Sequence, residues 1–145
     1  MAASRRRGSL RPWLERAARR VLAWEGVRDA RVDVTLLDAG AMRRLNRRVT
    51  GRRRLTDVLA FALPQPDGLV LGDVYICPAA AQRWVSNGGR GTRDEGRVEE
   101  ELIRLAVHGT LHVLGYHHPD GSGRTRSPMW RRQERYVRRL LGRRP

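Results

Sequence analysis

The segment 95–114 constrains the fold more than any other part of the chain, because its pattern predicts one long, largely buried helix. Its first turn is acidic, which suits the positive N-terminal end of a helix, and Gly115 can end the helix in a left-handed conformation. Its apolar residues at helical spacing are Val98, Leu102, Leu105, Ala106, Leu111 and Val113. We therefore expect a fold in which the other elements pack around this central helix.

The remaining patterns predict an alternation of helices and short strands, which indicates an α+β fold. The predicted helices cover 13–22, 38–46, 78–85 and 128–140, and the predicted strands cover 30–37, 56–61 and 69–76. The last two strands flank a turn at 64–68 and should pair as a hairpin. We expect a single domain over 1–145, with helices packed on a small mixed sheet of about four strands. Residues 1–9 are expected to form a flexible basic tail, and 87–91 a mobile loop.

The charge of the chain points to an anionic partner. Thirty basic residues against fifteen acidic ones give a net charge of +15, and every basic residue is an arginine. The guanidinium group binds phosphate oxygens through two parallel hydrogen bonds, so this excess favours a nucleic acid or another anionic surface. Arginine-rich codon usage would explain the absence of lysine, but it would not explain the net charge. A phosphate-binding loop of the Gly-x-x-x-x-Gly-Lys type is excluded because the chain has no lysine.

Several other classes of protein are disfavoured by composition. No apolar run approaches the roughly 18 residues that a membrane span needs, and the first residues lack the apolar region of a secretory signal. We therefore expect a cytoplasmic protein with no membrane partner. Cys77 is the only cysteine, which excludes disulfides and cysteine-based zinc sites and leaves any metal to histidine and carboxylate ligands.

All four histidines of the chain lie within the window 108–118. His108 and His112 are four residues apart on the predicted central helix, so they share one face with Cβ atoms about 5–6 Å apart. A turn at Gly115 would bring His117 or His118 back to the same place. Three imidazoles and a water molecule form an open catalytic metal site. The alternative, four histidines that merely form ordinary hydrogen bonds, does not account for this spacing.

The same ligand spacing, H-x-x-x-H-x-x-G-x-x-H, occurs in metzincin proteases. In those enzymes a glutamate directly follows the first histidine and acts as the general base, whereas this chain has Gly109 at that position. A site without its carboxylate base is a poor peptidase. A zinc peptidase is therefore a disfavoured alternative.

The string HGTLHVLGYHH at 108–118 resembles the H-G-x-L-H-L-x-G-Y-D-H signature of the YbeY family. TDVLAF at 56–61 is similar to the T-D-V-L-S-F of that family, and LGDVYI at 71–76 is similar to its L-G-D-I-x-I. Met129 and the pair Gln133-Glu134 lie where the family has its closing helix. The resemblance implies a metal-dependent, single-strand-specific endoribonuclease of ribosomal RNA processing, including maturation of the 3′ end of 16S rRNA and ribosome quality control. The implied partners are ribosomal RNA and the small ribosomal subunit or its proteins.

The resemblance also implies that His108, His112 and His118 are the metal ligands, and that they hold one zinc ion. A histidine-rich site also suits a neighbouring metal such as nickel. His117 stands where the family has aspartate, so a carboxylate that would orient a ligand is absent and His117 becomes a rival third ligand. Metal-bound water is the expected catalytic group.

Other candidate residues have roles that the sequence leaves open. Glu101 lies seven residues before His108 on about the same helix face, so it is a candidate general base or else the buried partner of an arginine. If the 2′-hydroxyl of the RNA is the nucleophile, no protein base is required. Asp57 and Asp73 could line the same cleft or cap turns, and we expect structural roles for both and for Asn46.

Thr50 stands where family members often carry an arginine that is implicated in RNA handling. Arg52, Arg53 and Arg54 follow closely and are candidate RNA-binding residues, although a solvated loop explains them equally well. No strand is rich in aromatic residues, so we expect shape and phosphate contacts to dominate RNA binding. A ribosome-associated RNA-binding assembly factor with a mainly structural metal is the alternative to an enzyme.

Overall fold

Five helices, three strands and one 3₁₀ turn make up the part of the chain that the computed structural model describes, residues 7–86 and 95–142. In chain order the helices and strands are α1 (Arg7–Trp24), β1 (Ala30–Leu36), α2 (Ala39–Thr50), β2 (Val58–Leu63), β3 (Val70–Ile76), α3 (Pro78–Ser86), α4 (Glu95–Val113) and α5 (Pro128–Leu140). The 3₁₀ turn, Gly121–Arg126, directly precedes the cap of α5. The predicted α+β class is confirmed.

The strands form one mixed sheet in the order β1-β3-β2, so the described residues contain three strands where about four were expected. Strands β1 and β3 are parallel, and Ala30 lies opposite Val70. Strands β2 and β3 are antiparallel, and Val58 lies opposite Ile76, which confirms the predicted hairpin. The segment 51–57 forms no fourth strand in this sheet, since it has no alternation of apolar and polar residues.

Helix α4 lies against the sheet at unusually close range, because glycines remove side chains from both surfaces. A Cβ atom on Gly109 of α4 would lie 2.6 Å from Val74 Cγ1 of β3. A Cβ atom on Gly72 of β3 would lie 2.4 Å from Val113 Cγ1 of α4. Any larger side chain at either glycine would force the two elements apart. The glycines therefore set the position of the histidine-bearing part of α4 on the sheet.

One hydrophobic core joins these elements. Every residue of α4 from 100 to 111 is buried, with α1, α3 and α5 packed against the helix on its other sides. The largest fully buried apolar side chains of the described residues are Leu14, Val21, Val34, Met42, Val74, Ile76, Val85, Val107, Leu111, Met129 and Val137. The central position that the sequence predicts for α4 is confirmed. None of the helices in the described ranges combines the length and the apolar character required to cross a membrane.

Two helices extend beyond their predicted ends. Helix α1 begins at Arg7 rather than at residue 13, so residues 7–9 of the predicted flexible tail are helical, because Leu10 already packs against the core. Residues 1–6 of that tail lie outside the described residues, as does the loop predicted at 87–91. Helix α2 continues past Asn46 to Thr50 and ends at Gly51, whose φ of 77° is a left-handed C-cap. Asp38 caps its N-terminus as expected, accepting a hydrogen bond from the Ala41 N–H.

Candidate metal centre

Three imidazole rings meet where α4 ends. His108 and His112 project from one face of α4, and their ring centroids are 4.5 Å apart. Gly115, with a φ of 98°, reverses the chain. The ring of His118 thereby returns to within 5.0 Å of each of the other two rings. Ligand nitrogens of the three side chains all lie within 4.8 Å of one another, as one metal ion requires.

His117 is outside this group. Its side chain is exposed, and its ring centroid is 6.4 Å from that of His112. Among the described residues, the only group of three or more histidines, cysteines and carboxylates with metal-binding geometry is His108, His112 and His118. The geometry therefore favours His118 over His117 as the third residue of the cluster. This choice agrees with the one that the family resemblance implies.

Each of the three rings is oriented by a hydrogen bond at Nδ1. The acceptors are Gln133 Oε1 for His108 at 2.7 Å, the Tyr116 carbonyl for His112 at 2.9 Å and the Pro119 carbonyl for His118 at 3.1 Å. A carbonyl oxygen can only accept, so each Nδ1 carries the proton. In a neutral imidazole with its proton on Nδ1, Nε2 has a lone pair, and this is the form that binds a metal.

The arrangement of these lone pairs suits a cation. Nε2 of His108 and Nε2 of His112 are 3.0 Å apart, although neither carries a proton for the other to accept. Two such lone pairs repel each other unless a positive charge lies between them. Tetrahedral zinc bonds of about 2.0–2.1 Å would place two ligand nitrogens about 3.3 Å apart, close to this separation. The residues present therefore fit a single ion such as zinc.

Burial keeps two of these imidazoles, His108 and His112, neutral. It lowers the pKa of His108 to about 3 and also lowers the pKa of His112, because the protonated ring loses hydration. A neutral imidazole does not have to lose a proton before it can bind a metal. The site is therefore prepared for a metal at neutral pH.

The histidines lie in a groove with a cavity volume of about 420 Å³. One wall is the beginning of the hairpin, and the other is the chain that follows α4. The lining residues are Thr56, Asp57, Val58, Leu59, Ala60, His108, His112, His117, His118 and Arg124. Arg124, from the 3₁₀ turn, places a guanidinium beside the histidines. The sequence analysis did not single out Arg124 as a site residue. Its only sequence signal is its position after the last histidine, in a loop rich in glycine and serine.

Gly109, which lies between the metal-site histidines, also determines what this site lacks. A Cβ atom there would overlap Val74, so no glutamate fits at the position of the metzincin base. The close packing of α4 on β3 therefore leaves no space for the carboxylate side chain that a peptidase of that type requires.

Glu101 is the buried partner of an arginine, one of the two alternatives that the sequence left open. Its Oε1 accepts a hydrogen bond from Arg104 Nη1 at 2.9 Å, and the same guanidinium binds Glu100 at 3.2 Å and Glu134 at 2.7 Å. Burial opposes the charge of Arg104, but the hydrogen bonds and negative charges of Glu134 and Glu101 outweigh this and raise its pKa. A carboxylate held by this cation is a weak base. A catalytic role for Glu101 remains a prediction without structural support.

The arginines at 52–54 are exposed, and their side chains are not among those that line the groove. Their loop is held by the buried Asn46, whose Nδ2 donates to the Arg54 carbonyl at 2.8 Å. Thr50 also donates to Asn46 Oδ1 at 2.9 Å. Asn46 therefore has the structural role that we expected, and RNA binding by Arg52, Arg53 and Arg54 stays a prediction.

The two aspartates of the strand motifs have different surroundings. Asp57 lines the groove, and burial raises the pKa of its carboxyl group. Its backbone carbonyl accepts a hydrogen bond from the Cys77 N–H at 2.9 Å, a structural contact at the start of the hairpin. Asp73 lies in the middle of β3, opposite Asp33 and Phe61, and is not a lining residue of the groove.

Comparisons with known proteins agree with this geometry. A family model described as Endoribonuclease YbeY matches residues 3–141. A relative with that name from Desulfitobacterium hafniense is 37% identical, over 94% of this chain and 88% of its own. Another from Chlorobium phaeovibrioides is 34% identical, over 89% of this chain and 80% of its own. A solution structure of a Thermotoga maritima protein matches with a TM-score of 0.58 and 28% identity, covering 93% of this chain and 81% of that one.

The match extends over nearly all of the chain, and identity above 30% to full-length relatives is sufficient to establish common descent. It agrees with the resemblance seen in the histidine window and in the two strand motifs. This chain therefore belongs to the YbeY family of endoribonucleases, which are hydrolases.

Proposed function

We propose that residues 1–145 form one endoribonuclease domain that uses a zinc ion to cleave single-stranded RNA during ribosomal RNA processing. The observation that carries this proposal is the convergence of three Nδ1-protonated imidazoles on one point, in a groove that Arg124 also lines. The finer role, maturation of the 3′ end of 16S rRNA and ribosome quality control in the cytoplasm, is supported by the family resemblance. The same resemblance supports the small ribosomal subunit or its proteins as partners.

The chain's own residues can be assigned parts in phosphodiester cleavage. His108, His112 and His118 would hold the ion through Nε2, while Gln133 and the Tyr116 carbonyl keep two of the rings in the required orientation. When bound, zinc supplies a Lewis acid that polarises a phosphoryl oxygen or a water molecule. Arg124 offsets negative charge that develops on the phosphate in the transition state.

A protein base is not an essential part of this proposal. The substrate carries a 2′-hydroxyl next to each phosphate, and this group can serve as the nucleophile. That route agrees with the pairing of Glu101 to Arg104 and with the absence of space for a glutamate at Gly109. The same two observations leave a peptidase without a general base, so they do not support that alternative. We expect no chelator-sensitive cleavage of an unstructured polypeptide.

Replacement of one metal ligand distinguishes a catalytic metal from a mainly structural one. In His112→Ala we expect cleavage of a single-stranded RNA to be lost, while folding and RNA affinity are retained, because His112 is only half-buried and lies at the end of α4. Elemental analysis should give about one metal ion per wild-type chain and a loss of that ion in His108→Ala.

His117→Ala is the matched control, since it removes an imidazole from the same groove but not from the cluster. We expect this variant to keep both the metal and the cleavage activity. Cleavage at the wild-type rate by His112→Ala would contradict a catalytic metal. Loss of folding in His112→Ala would instead support the assembly-factor alternative, in which the ion holds the end of α4 in place.

A further inference from the structure

A second cavity, of about 260 Å³, adjoins the histidine groove. The two share Asp57, His108 and Arg124 as lining residues, so they meet at the metal centre. The remaining walls of the second cavity come from α3, α4, α5 and the 3₁₀ turn. The steps proposed above use His108, Arg124 and Gln133 from its lining but assign no occupant to the cavity itself.

Two tryptophans line this cavity. Trp84 of α3 is 50% exposed, and only Val49 and Leu63 are comparably exposed large apolar residues in the described part of the chain. Trp130 lies in the first turn of α5, where its backbone N–H donates to the capping Ser127 Oγ at 3.1 Å, so its backbone is held in place. An indole with an accessible face beside an RNA-cleaving centre is a surface on which an unpaired base can stack.

One wall of the cavity belongs to a buried ion cluster that has more acidic than basic groups. Arg104 and Glu101 line it, and the single guanidinium of Arg104 is shared by three carboxylates, those of Glu100, Glu101 and Glu134. Such a wall disfavours a phosphate and favours groups that donate hydrogen bonds. Every RNA base has an N–H group on its Watson–Crick edge. Arg124, at the wall shared with the groove, is the group that suits a phosphate.

The size of the cavity limits its occupant. Pockets for drug-sized ligands have volumes of roughly 300–1,000 Å³, and this cavity is slightly smaller than that range. A single nucleobase is therefore a better match than a longer segment of RNA. A base that is paired and stacked in a duplex cannot enter such a cavity unless it is first flipped out.

We propose that this cavity is a nucleobase subsite, which takes the unpaired base of the nucleotide next to the scissile phosphate and stacks it on Trp84 and Trp130. This inference rests on the proposed function, since it assumes RNA at the metal centre. The phosphate side of the nucleotide faces Arg124 and His108, and the base points away from the metal. Stacking does not distinguish strongly between bases, so the subsite provides selection for single strands rather than for a sequence.

The experiment compares two uncleavable ligands, a 2′-O-methyl oligouridylate and an abasic oligomer with the same ribose-phosphate backbone. We expect Trp84→Ala to bind the base-bearing ligand about tenfold more weakly than the wild type does, and to bind the abasic ligand equally well. Trp84→Phe keeps an aromatic face and should recover most of the loss. Leu63→Ala, which removes another exposed apolar side chain on β2, is the matched control and should bind both ligands as the wild type does.

Tryptophan fluorescence reports directly whether a base stacks on Trp84. The base-bearing ligand should quench tryptophan emission in the wild type and quench it less in Trp84→Phe. Equal binding of the base-bearing ligand by wild type and Trp84→Ala would overturn the proposal, as would an equal loss on both ligands. These measurements follow binding alone, so they stay informative if the protein fails to cleave RNA. Retention of one metal ion in Trp84→Ala shows that the metal centre is intact.

Discussion

At the scale of the residue, one buried amide sets the chemistry of a metal ligand. Gln133 is 1% exposed, and its Oε1 accepts the hydrogen bond from Nδ1 of His108. The orientation of this amide is not arbitrary, because its Nε2 donates to Glu134 Oε2 at 3.0 Å. The oxygen must then face His108, which places the proton on Nδ1 and the lone pair on Nε2. Glu134 is itself held by Arg104, so the orientation extends to the buried ion cluster.

Replacing Gln133 by Met tests this dependence. Methionine has a similar volume but no strong acceptor, so the Nδ1–H of His108 loses its partner and the ring loses its preferred tautomer. We expect metal affinity to fall about 10–100-fold, as measured by competition with a chelator. Gln82→Met, at an exposed position on α3, is the control and should not change the affinity. Unchanged affinity in Gln133→Met would show that Gln133 does not orient the ligand.

At the scale of the element, one carboxylate connects three parts of the structure. Glu25 follows α1, and its Oε1 accepts a hydrogen bond from Tyr116 Oη at 2.6 Å. Its Oε2 accepts from Tyr136 of α5 and, at 2.9 Å, from Arg132 Nη1 of the same helix. Tyr116 in turn provides the carbonyl that orients His112. Glu25 thus ties the histidine turn to α1 and α5.

The pKa of Glu25 gives a pH-dependent test of this connection. Burial alone would raise this pKa, but hydrogen bonds from Tyr116, Tyr136 and Arg132 outweigh burial and lower it below 4.5. A lowered folded-state pKa contributes stability that is present above the unfolded pKa and is lost as the pH falls through the folded pKa. We expect Glu25→Gln to lower the free energy of unfolding at pH 7 by about 1–3 kcal/mol, measured by urea denaturation. The difference between variant and wild type should shrink as the pH falls below about 4.

Asp29→Asn is the control for this experiment, because Asp29 is an exposed carboxylate close to Glu25 in the chain. We expect its stability to differ little from that of the wild type at any pH. If Glu25→Gln and the wild type differed by the same amount at pH 7 and at pH 3, ionisation of Glu25 would not be the source of the stability.

At the scale of the whole molecule, the net charge of +15 is not confined to the histidine groove. A separate groove between α1 and α5 has Arg16, Arg19, Arg20 and Arg139 among its lining residues. Two of these guanidinium groups also lie over Trp24, that of Arg139 at 4.3 Å and that of Arg20 at 5.3 Å from the ring centroid. A polyanion would therefore meet positive charge on more than one face.

RNA affinity should accordingly depend on salt and not on the metal. For a single-stranded RNA, we expect log K to fall with log salt concentration with a slope of roughly −0.7 for each phosphate neutralised. Removal of the metal with a chelator should abolish cleavage and leave this slope unchanged, because the arginines do not depend on the ion. Fluorescence anisotropy of the wild-type protein with an uncleavable 2′-O-methyl RNA gives the slope with and without the chelator, and a cleavage assay on unmodified RNA gives the activity. A flat salt response would contradict a role for the charge in RNA binding.

The features that the sequence predicts well are local ones. Spacing of four residues places His108 and His112 on one face, and Gly115 allows His117 or His118 to return; in the structure His118 does so. Alternation and turn residues predict the hairpin of β2 and β3. The predicted ends are less accurate for α1 and α2, since packing of Leu10 on the core and the cap at Gly51 extend those helices.

The sequence by itself therefore determines the α+β class, the family and the meeting of His108 and His112 with a histidine that follows Gly115, because each depends on short-range periodicity or on contiguous motifs. Only the tertiary structure decides which other groups reach the metal centre. Gln133 contacts His108 across 25 residues, and Tyr116 contacts Glu25 across 91. The packing of α1 and α5 on α4 brings these pairs together, and no local pattern encodes them. The packing of α3 on α4 places Trp84 beside the groove, and the 3₁₀ turn packed on α5 places Arg124 in it. Arg52, Arg53 and Arg54 are outside the lining of the groove.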